Sequence, residues 1–134
     1  MNKQRWAKRK GTAGEREIID LFWEQKNWGA HRIAGSGSSK YPAPDIIAGN
    51  RIRKLAIEAK VTSNKLKYFT LDEIKALQTF SSLFGAEPWV GVKFISEKKW
   101  FFFSLEDLNK KEKSYSISLE DGKRKGLLFE ELIK

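Results

Sequence analysis

At 134 residues, with 40% hydrophobic and 13% aromatic side chains, the chain is long enough to bury one core and too apolar for general disorder. It holds no cysteine, which excludes disulfides, thiolate metal sites and cysteine nucleophiles. No stretch resembles a signal peptide or approaches the roughly 18 apolar residues of a membrane span, and 26 Lys and Arg against 17 acidic residues leave a charge of +9 that attracts polyanions, nucleic acid ahead of an anionic membrane surface.

Residues 1–11 set Lys3, Arg5, Lys8, Arg9 and Lys10 around Trp6 without apolar periodicity, a basic arm expected to be disordered until bound. Thr12-Ala13-Gly14-Glu15 then reads as a capping box. Ile18, Ile19, Phe22 and Trp23 follow at helical spacing, predicting a first helix that ends near residues 26–27. A strand over 28–33 leads into Gly35-Ser36-Gly37-Ser38-Ser39-Lys40-Tyr41-Pro42-Ala43-Pro44, whose composition sustains no regular structure, so 35–44 is expected to be a mobile loop.

Strands are predicted at 45–48 and 52–61, on either side of Gly49-Asn50. In the longer one Arg53, Leu55, Ile57, Ala59 and Val61 share one face, and Lys54, Ala56, Glu58 and Lys60 the other. A second capping box, Thr70-Leu71-Asp72-Glu73, opens a helix with Ile74, Leu77, Phe80, Ser81 and Phe84 near one side, stopped by Gly85. Strands over 89–95 and 100–104 are joined through 96–99. The tail holds a short helix at 105–109, a strand at 114–119, an Asp121-Gly122 turn and a helix over 127–133. No internal repeat is present, and the element order gives one α/β domain over 1–134, a mixed sheet flanked by helices.

The chemistry concentrates in Pro44-Asp45 and Glu58-Ala59-Lys60. Glu-x-Lys alone says little, because Glu24-Gln25-Lys26, Glu73-Ile74-Lys75 and Glu97-Lys98-Lys99 match it too; only Glu58 and Lys60 lie on an apolar alternating strand with an acidic strand start upstream. If Asp45 faces Glu58 across an antiparallel pair, the turn is centred between Arg51 and Ile52 and both carboxylates share a face. A tight Gly49-Asn50 turn pairs Asp45 with Lys54 instead and leaves Glu58 four residues away, too far for shared coordination. Two facing carboxylates suit a hard cation such as Mg²⁺, with Lys60 oriented toward water or a developing phosphorane charge. A surface salt-bridge ladder of Asp45 and Glu58 with Lys54 and Lys60 is the competing reading. Glu15 has two readings as well, helix cap or active-site acid. Arg16 and Arg32 are able to clamp phosphate, with a solvated surface role as the alternative, and the lone His31 is assigned to a half-buried strand position.

Several segments together resemble the archaeal Holliday junction resolvases of the restriction-endonuclease-like superfamily. They are Arg9-Lys10-Gly11-Thr12-Ala13-Gly14-Glu15-Arg16-Glu17, Arg32-Ile33-Ala34-Gly35-Ser36, Pro44-Asp45 through Asn50, Ile57-Glu58-Ala59-Lys60-Val61-Thr62, Phe80 through Gly85, and Pro88 through Phe94. The resemblance covers roughly residues 8–105 and is weak in the tail. It implies a restriction-endonuclease-like fold and a homodimeric, Mg²⁺-dependent endonuclease that nicks opposing strands of four-way DNA junctions, with one or two ions per site and Mn²⁺ as a substitute. It further implies Asp45, Glu58 and Glu15 as metal ligands, Lys60 as the catalytic lysine and Ser36 as a catalytic loop residue. Arg9, Lys10, Arg16, Arg32, Ser38 and Lys40 would contact DNA, and Phe80 and Phe84 would form the dimer face, unless their i,i+4 pair fills the monomer's own core. A cytoplasmic, nucleoid-associated location and recombination or replication proteins as partners accompany that reading. The alternatives are another endonuclease of the superfamily, such as a repair nickase or restriction-like enzyme, and a noncatalytic basic DNA-binding module.

Overall fold

The computed structural model describes residues 3–35 and 40–134, with side chains from residue 11 onward. In chain order it contains α1 (Lys3–Trp23), β1 (Gly29–Arg32), β2 (Ile46–Gly49), β3 (Lys54–Thr62), β4 (Leu66–Thr70), α2 (Leu71–Phe84), β5 (Glu87–Phe94), β6 (Lys99–Ser104), β7 (Asn109–Lys110), β8 (Ser114–Ser118), α3 (Leu119–Lys125) and α4 (Phe129–Leu132). Five strands form the main sheet in the order β1-β2-β3-β5-β6, and all its neighbours are antiparallel except β3 and β5. A parallel pair needs a crossover. Here β4 and α2 supply it, and β4 also joins β8 and β7 in a small second sheet.

Helices cover both faces of the main sheet. Ile18 and Phe22 of α1 pack with Leu55, Ile57, Phe102 and Phe129 in one core cluster, while Ile74, Leu77 and Phe80 of α2 pack with Ala56, Val90, Val92 and Phe103 in another. Fully burying a side chain such as Phe22, which has no exposed surface, contributes about 2–3 kcal/mol. β3 is the middle strand and is covered on both sides, so Leu55, Ala56, Ile57 and Glu58 are all buried although their side chains alternate.

Three expectations from sequence are corrected. Residues 3–11, expected to be an arm without regular structure, form the first half of α1. Lys, Arg, Gln and Ala are good helix formers, no proline intervenes, and a helix anchored on the sheet by Ile18 and Phe22 propagates cooperatively toward its N-terminus. Thr12 therefore sits mid-helix and Thr12–Glu15 caps nothing. Residues 121–122 are not a turn: Ser118 and Asp121 form a reciprocal capping box that starts α3, and Gly122 lies inside that helix because a Cβ there would come 3.1 Å from the Phe101 ring. Finally, β3 begins at Lys54, and Ile52, expected in the strand, is 91% exposed in the preceding turn. Thr70–Glu73 and Gly85 do bound α2 as read, with Thr70 at the N-cap and Gly85 left-handed at φ 65°. No described helix is long and apolar enough to cross a membrane.

α1 crosses β3 at Gly14. A Cβ there would meet Val61 Cγ2 at 2.6 Å and Trp100 at 3.3 Å, so only glycine allows this approach. Gly14→Ala should lower unfolding stability by about 1–3 kcal/mol through overpacking, against its gain in helix propensity, as read by urea denaturation. A second prediction concerns acid. Burial opposes ionisation of Asp121, but the Ser118 backbone N–H and hydroxyl, the Asn109 amide and Arg124 hold its carboxyl down to about 2, below its ordinary 3.8. A depressed folded value means the cap's contribution is complete above pH 4 and fades as pH falls toward 2. The melting-temperature gap between the wild type and Asp121→Asn should accordingly narrow over that window in a pH series.

Candidate active site

The site begins with the register between β2 and β3. Gly49 pairs with Lys54, Ala48 with Leu55, Ile47 with Ala56 and Ile46 with Ile57, which brings Asp45, one residue further, opposite Glu58. The connection is the wider one: Asn50 N–H donates to the Arg53 carbonyl at 2.9 Å, and Asn50 Oδ1 accepts from the Ile52 and Arg53 N–H groups at 2.8 and 2.6 Å. Backbone bonds hold Asp45 from both sides. Its Oδ2 accepts the Ala59 N–H at 2.9 Å, and its carbonyl accepts the Ile33 N–H at 2.8 Å, extending the pairing of β1 and β2.

Lys60 projects on the same face as Glu58. Its Nζ lies 3.9 Å from Glu58 Oε1 and 2.5 Å from Glu73 Oε2, so Glu73 is its principal partner. Asp45, Glu58 and Lys60 line one open cleft of about 480 Å³, walled by Asp72 and Glu73 of α2 and by residues 40–43. The salt-bridge ladder through Lys54 does not form; Lys54 sits four residues away, opposite Gly49.

Burial dominates the electrostatics. Glu58, 9% exposed, is pushed up to about 9 by desolvation, then by the charge of Asp45 and its hydrogen bond with Asp45, with Lys60 offsetting only part. Glu15 is also raised, first by burial and then by Asp45, against the pull of Arg32. Burial would lower Lys60, but its bond to Glu73 more than reverses this and the amine titrates above its usual range. Glu73 is lowered, because Lys60 and the Thr70 backbone N–H outweigh its burial.

Two facing carboxylates, one of them a Glu58 whose ionisation is opposed by burial and by Asp45, fit a hard divalent cation, whose charge would favour the ionised form. Asp45 and Glu58 supply oxygen donors in a cleft open enough for water and phosphate to fill the remaining positions, the habit of Mg²⁺. Among the described residues no three His, Asp or Glu side chains form a metal-binding group. Glu15 is set back from the Asp45–Glu58 pair. It lies close enough to Asp45 to feel its charge, does not line the cleft, and binds Arg32 Nε at 2.7 Å.

The archaeal Holliday junction resolvase (Hjc) family profile matches residues 6–134. The chain belongs to that family. It is 43% identical over 110 residues to the crossover junction endodeoxyribonuclease Hjc of Archaeoglobus fulgidus, covering 82% of this chain and 79% of that one. It is 32% identical over 112 residues to the endodeoxyribonuclease Hje of Sulfolobus acidocaldarius, covering 81% and 79%. The 1.6 Å structure of the A. fulgidus Hjc superposes with a TM-score of 0.81 at 39% identity, over 89% of this chain and 94% of that one. The resolvase's fold is therefore the α/β architecture expected from sequence, and its family, one of nucleases, implies use of a divalent metal.

The remaining sequence-derived residues scatter around this centre. Arg32 is engaged by Glu15, and Arg16 is exposed on α1 beside it. Lys40 is exposed on the cleft wall. Arg9 and Lys10 lie on α1 with side chains outside the described residues, and Ser36 and Ser38 fall outside them altogether. His31, expected half-buried, is exposed and meets the edge of Trp23. Phe80 is buried in the core under α2, whereas Phe84, 61% exposed, stacks on it at 4.3 Å beside Leu83, 77% exposed. Sequence reading missed Glu73 as a cleft residue. The signal was present: the acid of a capping box at the start of the first helix after the Glu-x-Lys strand.

Proposed function

We propose that this resolvase is a Mg²⁺-dependent, structure-selective endodeoxyribonuclease that resolves four-way DNA junctions by paired symmetric nicks. The carrying observation is the convergence of Asp45, Glu58 and Lys60 on one open cleft, in a chain of this family. Asp45 and Glu58 hold one or two ions, with Mn²⁺ an acceptable substitute. When bound, the ion supplies Lewis-acid polarisation of the scissile phosphate and makes attacking water more acidic. Lys60 directs its ammonium at the charge that develops on the phosphorane oxygens, and its partial burial makes that attraction stronger than in bulk water. Glu15 serves as a further acid at the site's edge, bound to Arg32. Arg9, Lys10, Arg16, Arg32 and Lys40 contact the DNA backbone, and Ser36 and Ser38 contribute from their loop.

Two cuts placed symmetrically require two sites related by a two-fold axis, so the working unit is a homodimer. The exposed Leu83 and Phe84 support the α2 face as its interface, because large apolar side chains this exposed favour association. Backbone contacts and the +9 charge select branched geometry over base sequence. The enzyme acts in the cytoplasm at the nucleoid, among recombination and replication proteins.

Incubating the purified protein with a fixed four-way junction and with its component duplexes, in Mg²⁺ or EDTA, should give paired nicks confined to the junction and dependent on the metal. Asp45→Asn and Glu58→Gln keep the shape of each side chain. Each should reduce cleavage by at least about 100-fold while leaving junction binding intact in gel-shift titrations. Comparable cutting of linear duplex would instead favour a restriction-like or nickase activity, and binding without cleavage by the wild type would favour a DNA-binding module.

A further inference from the structure

We infer that Glu73 is the positioning residue for Lys60: it fixes the ammonium over the cleft from the first turn of α2, and it acts on the reaction only through that lysine. Three observations carry this. Glu73 Oε2 is 2.5 Å from Lys60 Nζ, whereas the nearest Glu58 oxygen is 3.9 Å away. Glu73 is itself fixed, since its Oε1 accepts the Thr70 N–H at 2.9 Å while its own N–H donates to Thr70 Oγ at 3.0 Å, so one carboxylate oxygen serves the helix cap and the other serves the lysine. Both partners line the cleft that holds Asp45 and Glu58.

A lysine ends in a long flexible stem whose rotamer entropy, about 2 kcal/mol, works against any single placement. Glu58 alone is a poor anchor at 3.9 Å. Glu73 restricts the ammonium to one direction before substrate arrives, the kind of supporting contact that sets how well a reacting group is placed. The cap gives this arrangement stiffness. α2 is anchored on the sheet by Ile74, Leu77 and Phe80, and Lys60 is anchored by strand pairing with Val92, so the two ends of the ion pair sit on elements that cannot drift apart without disturbing the core.

This inference rests on Lys60 being the catalytic lysine, so the test carries Lys60→Ala beside the Glu73 variants. Glu73→Gln retains side-chain length and cap hydrogen bonding and removes the charge; Glu73→Asp retains charge and cap, as Asp121 does in α3, but falls short of the lysine. Single-turnover and steady-state cleavage of a four-way junction in Mg²⁺ should show kcat reduced about 10- to 100-fold in Glu73→Gln, with KM unchanged within about twofold. Glu73→Asp should recover part of that loss. Ser118→Ala, which removes the other capping box far from the cleft, is the control matched for stability and should leave kcat intact while lowering the melting temperature. A kcat within about twofold of wild type in Glu73→Gln, or an equal loss in Ser118→Ala, would overturn the positioning role. Full activity in Lys60→Ala would overturn the underlying assignment instead, and the two failures are distinguishable in one set of assays.

Discussion

The double burial of β3 governs this molecule. The strand runs through the middle of the sheet with α1 against one face and α2 against the other, and its first half, Leu55 to Ile57, is sealed completely. Its second half reaches the edge of α2 at Glu58 and Lys60, and there a cleft opens between α2, Asp45 and residues 40–43. A carboxylate is costly in such a place without a compensating charge. Glu58 is tolerated because burial and Asp45 favour its neutral form and because the neighbouring strand end brings Asp45 to meet it. The same rigidity that makes the position costly fixes the two acids with respect to each other, since their register is set by four strand pairs and a turn tied twice to Asn50.

Much of the site was legible before the fold was known, and the reason lies in the period of a strand. Because side chains alternate, the statement that Asp45 and Glu58 share a face amounts to a statement about the turn, and Arg51-Ile52 at its centre follows by counting. Capping was less transparent. Thr12–Glu15 and Thr70–Glu73 present the same local pattern, yet the first lies in mid-helix and the second is a true N-cap. What separates them is tertiary: α1 is propagated beyond Thr12 by its hold on the sheet, while β4 leads directly into Thr70 and forces the helix to start there. A cap role therefore neither requires nor excludes a role in the site. Glu15, free of any cap, binds Arg32 at the edge of the site, and Glu73 spends one oxygen on its cap and the other on Lys60.

The second sheet was illegible for a related reason. Leu66–Thr70 lacks the clean alternation of a strand against a large core, with Leu66 and Tyr68 exposed and only Phe69 fully buried, and its partner β8 is 52 residues later at the Leu66–Ser118 pair. Nothing local announces such a pairing. Likewise Gly122 looks like a turn residue until Phe101 is known to lie where its side chain would be.

Charge in this protein is divided by place. The chain carries +9 overall, yet Asp45, Glu58, Asp72 and Glu73 face Lys60 and Lys40 across the cleft, so the one region where a phosphate would have to enter is locally acidic. A polyanion is drawn to the surface by the net charge and opposed at the cleft by the local one. Under the proposed function these opposing fields give DNA binding and DNA cleavage different requirements: the first needs only the basic surface, whereas the second needs added positive charge between Asp45 and Glu58 before a phosphodiester can approach Lys60. Lys60 cannot meet that need alone. Its charge is already committed to Glu73, and this leaves the acid pair of the strands as the place where a cation decides whether bound DNA is cut.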